Sequence, residues 1–257
     1  MPNRITTAIL LAAGRGSRLG DLTASSPKPM LDIAGAPLIS RIVDALATAE
    51  VTRFIVVTGY LHAQVEDWAK MRTGQNPGLK IETVRQLQLD GTGGAMLAVR
   101  DLVSTEARFV FGWGDILMDS ANYPRFLDGA RSEEYDLVLA VNRVKDPYRG
   151  AAVYLSESMR VEKLVEKPPR GTSQTNWNNA GLFASGSIIF DYIDRLAPSP
   201  RGELELPGAI AQMIEDGRVV RAINTPGFWS DIGTPQELAI ARTRFKPKAA
   251  TRQSSNL

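Results

Sequence analysis

Ala8-Ile9-Leu10-Leu11-Ala12-Ala13-Gly14-Arg15-Gly16-Ser17-Arg18-Leu19-Gly20 joins an unbroken apolar run to a basic, glycine-rich turn. A strand that is apolar on successive residues is buried on both faces, as in a parallel sheet covered by helices. In such a sheet ligands sit beyond the carboxyl ends of the strands, where loops offer free backbone N–H groups. Gly14 and Gly16 let the main chain approach an anion, and Arg18 adds a bidentate phosphate donor. Taken alone, the same loop also reads as a flexible turn with a solvated arginine. A dinucleotide fingerprint needs glycine where this chain has Leu19, and the Gly-Lys-Ser/Thr of a P-loop occurs nowhere.

Working outward, Phe54 to Thr58, Phe109 to Phe111 and Leu137 to Val141 repeat the doubly buried pattern. Amphipathic segments lie between them: Pro37 to Ala49, His62 to Lys70 and Thr92 to Leu102, with Pro37 suited to a first helical turn. This βαβ alternation predicts a Rossmann-like, doubly wound α/β sheet that is mostly parallel. After Asp146 the pattern changes. Ala151 to Leu155, Val161 to Glu166 and Asn179 to Ala184 read as a small antiparallel part covering the substrate, with later helices at Ile188 to Leu196 and Leu206 to Asp216. From Lys246 onward no apolar period survives, and residues 246–257 read as a disordered tail.

Composition narrows the chemistry. The 257 residues are 44% hydrophobic and 23% charged, ordinary values for a globular protein. A net charge of +2 gives no electrostatic footprint for nucleic acid. With no cysteine, disulfides, thiolate metal sites and thiol nucleophiles are excluded. His62 is the single histidine, which excludes a His-rich zinc site and argues against a Ser-His-Asp triad. No apolar stretch approaches the roughly 20 residues of a membrane span. Met1-Pro2-Asn3-Arg4 runs straight into the first strand without a signal-peptide pattern, so the expectation is a cytoplasmic protein.

Ser26-Pro27-Lys28-Pro29-Met30 holds a lysine between two prolines on restricted backbone. Leu-Ala-Ala-Gly-x-Gly-Ser-Arg-Leu, then Pro-Lys-Pro-Met, then Ile33 to Ile39 resembles the sugar-1-phosphate nucleotidylyltransferases, which make nucleoside-diphosphate sugars and pyrophosphate. The resemblance returns at Gln86 to Ala95, Gly112 to Asp115, Val165 to Pro168, Asn178 to Gly181 and Phe228 to Pro235. It implies the nucleotide-diphospho-sugar transferase fold, a single domain over 1–245, with 1–145 as the nucleotide half and 146–245 as the sugar-phosphate half.

The roles follow residue by residue from that likeness. Leu11, Ala13, Gly14, Gly16, Gln86 and Gly91 would hold the nucleotide. The Gln86 amide offers donor and acceptor together, which suits the imide edge of uracil or thymine. Arg18 and Lys28 would neutralise the triphosphate, and Lys167 would contact the phosphate of the sugar 1-phosphate. Gly150, Glu166, Asn179 and Trp229 would line the sugar pocket. Asp115 and Asp231 would bind catalytic Mg²⁺, whereas Asp119 lies further into its loop. Trp113 and Trp177 read as packing residues, and His62 as a polar helix start.

The implied reaction joins UTP or dTTP to a sugar 1-phosphate by in-line, Mg²⁺-assisted attack, in a monomer or small homo-oligomer. The implied partners are those two substrates, with neither nucleic acid nor membrane. The chain departs from commoner family choices at Ser17, Asp21 and Ala36. Its Gly-Ser-Arg-Leu-Gly form also resembles relatives that transfer cytidylyl to phosphocholine. A non-catalytic sugar-nucleotide sensor stands as the alternative of another class.

Overall fold

The computed structural model describes residues 4–131 and 134–246. Of the tail expected from Lys246 onward, residues 247–257 lie outside the described residues. Five strands and three helices build the first part: β1 (Thr7–Leu11), α1 (Leu38–Ala47), β2 (Arg53–Thr58), α2 (His62–Gln75), β3 (Lys80–Arg85), α3 (Thr92–Leu97), β4 (Phe109–Trp113) and β5 (Leu117–Met118). Then come α4 (Asn122–Gly129), β6 (Leu137–Arg143), β7 (Ala151–Leu155), β8 (Val161–Glu166), β9 (Trp177–Ser185) and α5 (Ile188–Ile193). The chain closes with α6 (Leu206–Glu215), β10 (Val220–Asn224), β11 (Trp229–Ser230) and α7 (Pro235–Arg244).

The main sheet runs β10-β6-β9-β4-β1-β2-β3, with β7 and β8 attached through β9. The pairs β1–β2, β1–β4, β2–β3 and β6–β10 are parallel. Alternate residues of each inner strand feed two cores. Ala8, Leu10, Phe54, Val56 and Val110 pack with Ile42 and Leu46 of α1 on one face. Ile9, Leu11, Ile55, Val57 and Phe111 pack with Met96, Ile189 and Ile210 on the other. That double burial is why these strands read as continuous apolar runs.

Several expectations change. Asn179 to Ala184, grouped with the substrate-covering strands, is built into the main sheet. It lies in β9, an inner strand antiparallel to both β4 and β6. Its residues Leu182 to Ala184 are almost fully buried, so the strand pattern records core burial. The segment Thr92 to Leu102 is not one helix: α3 stops after Leu97, and Val99 turns out of helical geometry (φ −115°, ψ 4°) into a 3₁₀ turn at Arg100–Val103. That turn buries Val99 and Val103 together. Pro37 sits one residue before α1 in extended conformation, because its ψ of 145° keeps it outside the helix. The strands β3 and β10 carried weaker signals, since β3 is an edge strand with mostly half-exposed residues.

The antiparallel entry of β9 decides where the site forms. Its start, Trp177 to Asn179, pairs with the end of β6 at Val141 to Arg143. Residues from the second half of the chain therefore reach the same sheet edge as the loops after β1 and β4.

Candidate active site

Loops from distant parts of the chain converge at that edge. Lys28 occupies a short 3₁₀ turn, Lys28–Met30, and is 4% exposed. A buried ammonium needs acceptors. Its Nζ donates to Asp115 Oδ2 at 2.8 Å and to the backbone carbonyl of Asp231. Arg18 Nη2 lies 3.3 Å from Asp231 Oδ2. Two ion pairs, Arg18–Asp231 and Lys28–Asp115, are thus joined through the Asp231 main-chain carbonyl.

The β5–β11 pair builds this arrangement. Trp229 faces Met118 and Ser230 faces Leu117 in antiparallel register, which sets the segment before Asp231 beside the segment after Asp115. Asp119 reinforces it. Its Oδ2 accepts from the Phe228 N–H at 3.0 Å, and its Oδ1 accepts from Arg244 at 2.8 and 3.0 Å. Both Asp119 carboxylate oxygens are committed to these bonds. After Asp231, Thr234 caps α7: its Oγ1 accepts from Glu237 N, while Glu237 Oε2 accepts from Gly233 N. This variant of the capping box, with the Glu237 carboxylate reaching one residue before the cap, anchors the loop at its far end.

Two clefts, each of about 500 Å³, flank the junction. One is floored by the glycine-rich loop: Leu11, Ala13, Gly14 and Gly16 line it together with Gln86 and Gly91. Lys167 opens onto this cleft as well, and Asp115 and Glu166 form a wall shared with the second cleft. The second is lined by Gly150, Asn179, Trp229 and Asp231, and by Arg18. Arg18 therefore faces the side away from the glycine-rich loop that precedes it.

Gln86 is 7% exposed, and its Nε2 donates to Asp90 Oδ1 at 2.7 Å and to the Gly91 carbonyl at 3.0 Å. Both amide hydrogens are used, so the side chain does not offer donor and acceptor together, as its composition had suggested. Only Oε1 remains for a ligand.

On the other side, Asn179 Oδ1 accepts from Gly181 N at 3.0 Å. The Asn178 amide donates to Asn142 Oδ1 at 3.0 Å. Trp229 Nε1 donates to the Ala180 carbonyl at 2.9 Å, which locks the indole as a wall. Gly150 sits against Asn178: a Cβ there would come within 2.5 Å of Oδ1. Glu166 pairs with Lys167 at 3.2 Å. Burial raises the Glu166 carboxyl above the usual range, and Lys167 only partly offsets this.

Some wall residues escaped the sequence reading. Trp113 is more than packing: half-buried, it lines both clefts, with its edge on Phe183 at 5.0 Å between centroids. Its place before Gly114-Asp115 was the available signal. Arg149 lines the second cleft and pairs with Glu237 at 3.1 Å. Arg201 lines the first cleft and pairs with Glu205 at 2.7 Å. Nothing local marks Arg201, because its loop reaches the site only by docking on residues 90–93. There Leu204 N donates to the Asp90 carbonyl at 2.6 Å and Gly93 N to the Leu204 carbonyl at 2.7 Å. Trp177 stays peripheral, under the Arg143 guanidinium, and His62 begins α2 paired to Glu66.

Among the described residues no group of three or more His, Cys, Asp or Glu could hold a metal ion. Asp115 and Asp231 offer carboxylate oxygens beside a cleft. Mg²⁺ is commonly held that way, by one or two carboxylates with substrate phosphates and water completing the shell. The donor set fits that ion. Among the described residues no helix is long and apolar enough to cross a membrane.

A family model described as nucleotidyl transferase matches residues 7–246. The chain is 30% identical over 250 residues to the bifunctional protein GlmU of Methanococcus maripaludis, covering 97% of this chain and 57% of that relative's length. It is 32% identical over 233 residues to mannose-1-phosphate guanylyltransferase of Mycobacterium tuberculosis, covering 90% of this chain and 62% of that one. Among solved structures, a Bacillus anthracis protein provisionally named glucose-1-phosphate thymidylyltransferase superposes with a TM-score of 0.82 at 26% identity, over 95% of this chain and 96% of that one.

Proposed function

The chain belongs to the nucleotidyl transferase family, and from that premise we propose that it condenses a nucleoside triphosphate with a sugar 1-phosphate, giving a nucleoside-diphosphate sugar and pyrophosphate. The carrying observation is the pair of ion pairs Arg18–Asp231 and Lys28–Asp115 at the junction of two clefts, each large enough for one substrate. The names of the guanylyl and thymidylyl relatives support the same class.

The triphosphate lies over the glycine-rich loop, with its base toward Gln86 and Gly91. The sugar lies between Gly150, Asn179, Glu166 and Trp229. A phosphate oxygen of the acceptor attacks the α-phosphorus in line as the bond to pyrophosphate breaks. A phosphate monoester is already ionised at neutral pH, so no general base is required of a site without histidine or cysteine. Lys28, buried at the junction on Asp115, sets positive charge beneath the triphosphate. Arg18, on the wall of the second cleft, reaches the phosphates from the sugar side, and Lys167, with Arg201 on the wall of the first, reaches the acceptor phosphate from the nucleotide side. Asp115 and Asp231 would hold Mg²⁺, which when bound supplies charge neutralisation at the phosphates. The acceptor-only face of Gln86 favours a base with a ring N–H, as in UTP or dTTP.

The test is pyrophosphate release with Mg²⁺ across five nucleoside triphosphates and a panel of sugar 1-phosphates plus phosphocholine. Release with a sugar phosphate supports the reading and names both substrates. Release only with CTP and phosphocholine overturns it in favour of a phospho-alcohol cytidylyltransferase.

A further inference from the structure

We propose that Asp90 is the positioning residue that sets base choice, by fixing which end of the Gln86 amide faces the nucleotide; this rests on the nucleotide-site reading above. A glutamine side chain is symmetric in shape, and its two ends differ only in chemistry. At position 86 the choice is forced. One Nε2 hydrogen goes to the Asp90 carboxylate at 2.7 Å, the other to the Gly91 carbonyl at 3.0 Å, and both partners can only accept. Turning the amide over would set Oε1 against a carboxylate and a carbonyl oxygen. Oε1 accepts no hydrogen bond among the described residues, and Gln86 lines the first cleft.

The two anchors are rigid. The Asp90 carboxylate sits directly on the first turn of α3: a Cβ at Gly94 would lie 1.8 Å from Asp90 Oδ1. The Asp90 carbonyl accepts from Leu204 N at 2.6 Å. Gly91 takes φ +98°, a conformation reserved for glycine, and a Cβ there would meet the Leu204 carbonyl at 2.7 Å. The loop carrying Arg201 and Leu204 thus braces the segment that braces Gln86.

The consequence is a site that shows the base an acceptor. Uracil, thymine and guanine present a ring N–H to such an oxygen. Cytosine and adenine carry a lone pair at the equivalent ring position, and lone pair would face lone pair. Asp90 itself need not touch the base.

The test uses equilibrium titration of the whole protein with UTP and with CTP in Mg²⁺, since these pyrimidines match in size and differ at that edge. The variants are Asp90→Asn, Asp90→Ala, Gln86→Ala and the double variant Asp90→Asn/Gln86→Ala, each checked for an unchanged cooperative melt. The parent is expected to prefer UTP by roughly tenfold, the worth of one hydrogen bond matched rather than opposed. Asp90→Asn offers both a donor and an acceptor to Gln86, and is expected to cut the preference severalfold. In the Gln86→Ala background the same change is expected to do nothing to the ratio, the non-additivity of residues acting as a unit. An unchanged ratio in both Asp90 variants, or an equal loss of affinity for both nucleotides, overturns the proposal. So does a ratio effect that persists without Gln86. Binding of neither nucleotide by the parent would overturn the nucleotide-site reading itself, a result distinct from an unchanged ratio.

Discussion

Gly181 is the position where strand geometry and site wall meet most tightly, and Gly181→Ala tests whether the fit matters. The residue is buried in β9 with φ +82°, beside the register shift between Leu139 and Val141. An added Cβ would lie 2.4 Å from Trp113 Cε3 and 2.4 Å from Ile116 Cδ1, closer than real carbon contacts allow. Trp113 cannot yield freely, because its edge already rests on Phe183, which stacks on Phe111 at 5.2 Å. The left-handed backbone costs an L-residue about 1–2 kcal/mol. Overpacking a filled core adds about 1–3 kcal/mol. Together these predict a loss of about 2–5 kcal/mol, or roughly 4–20 °C in Tm for a protein of this size.

Gly217→Ala supplies the control. Gly217 has φ +77° but nothing within 4 Å of its Cβ position, so it carries the backbone cost alone. The steric difference should separate the two variants by about 2–12 °C in thermal unfolding followed by tryptophan fluorescence. Because Trp113 lines both clefts, Gly181→Ala should also shift its emission in the folded state. A Gly181→Ala protein as stable as Gly217→Ala, with unchanged emission, would refute the close-packing argument.

Other expectations address individual site residues. Asp115→Ala should remove most pyrophosphate release, whereas Asp119→Asn should lower Tm by about 2–6 °C yet leave the Mg²⁺ requirement within about threefold of the parent; equal shifts in the Mg²⁺ dependence would reverse the two assignments. Lys167→Gln should raise KM for the sugar phosphate about tenfold or more while changing KM for the nucleotide little, and steady-state kinetics with each substrate varied decides it. For Glu166 the sign follows from burial, which raises its carboxyl. The stability it contributes is present below the ordinary carboxylate range and is lost as pH rises through the raised value. Glu166→Gln should therefore gain in Tm relative to the parent between pH 4 and pH 8, and a constant difference across that range would contradict it.

Legibility in the sequence followed the range of the interaction. Local signals were sufficient for the doubly buried strands and for the glycine-rich turn after β1, because burial period and turn chemistry depend on neighbours a few residues away. The motifs around Lys28, Asp115, Lys167 and Asp231 were visible as residues, and their likeness to a known family assigned roles to each. The antiparallel place of β9 had no local sign: a strand buried on both faces looks the same whichever way it runs.

By itself, then, the sequence determined an α/β sheet with its chemistry at the strand ends, and the class of groups present there. Tertiary structure alone decided which of those groups meet. Lys28 reaches Asp115 and Asp231 across 87 and 203 residues, and the β5–β11 pair that sets their loops side by side is two residues long on each strand. Structure alone also turned Gln86 from a two-faced amide into an acceptor, since its hydrogens are taken by Asp90 and Gly91. A hydrogen-bonding group has only so many partners, and which of them remain for a ligand depends on what the fold has already brought within reach.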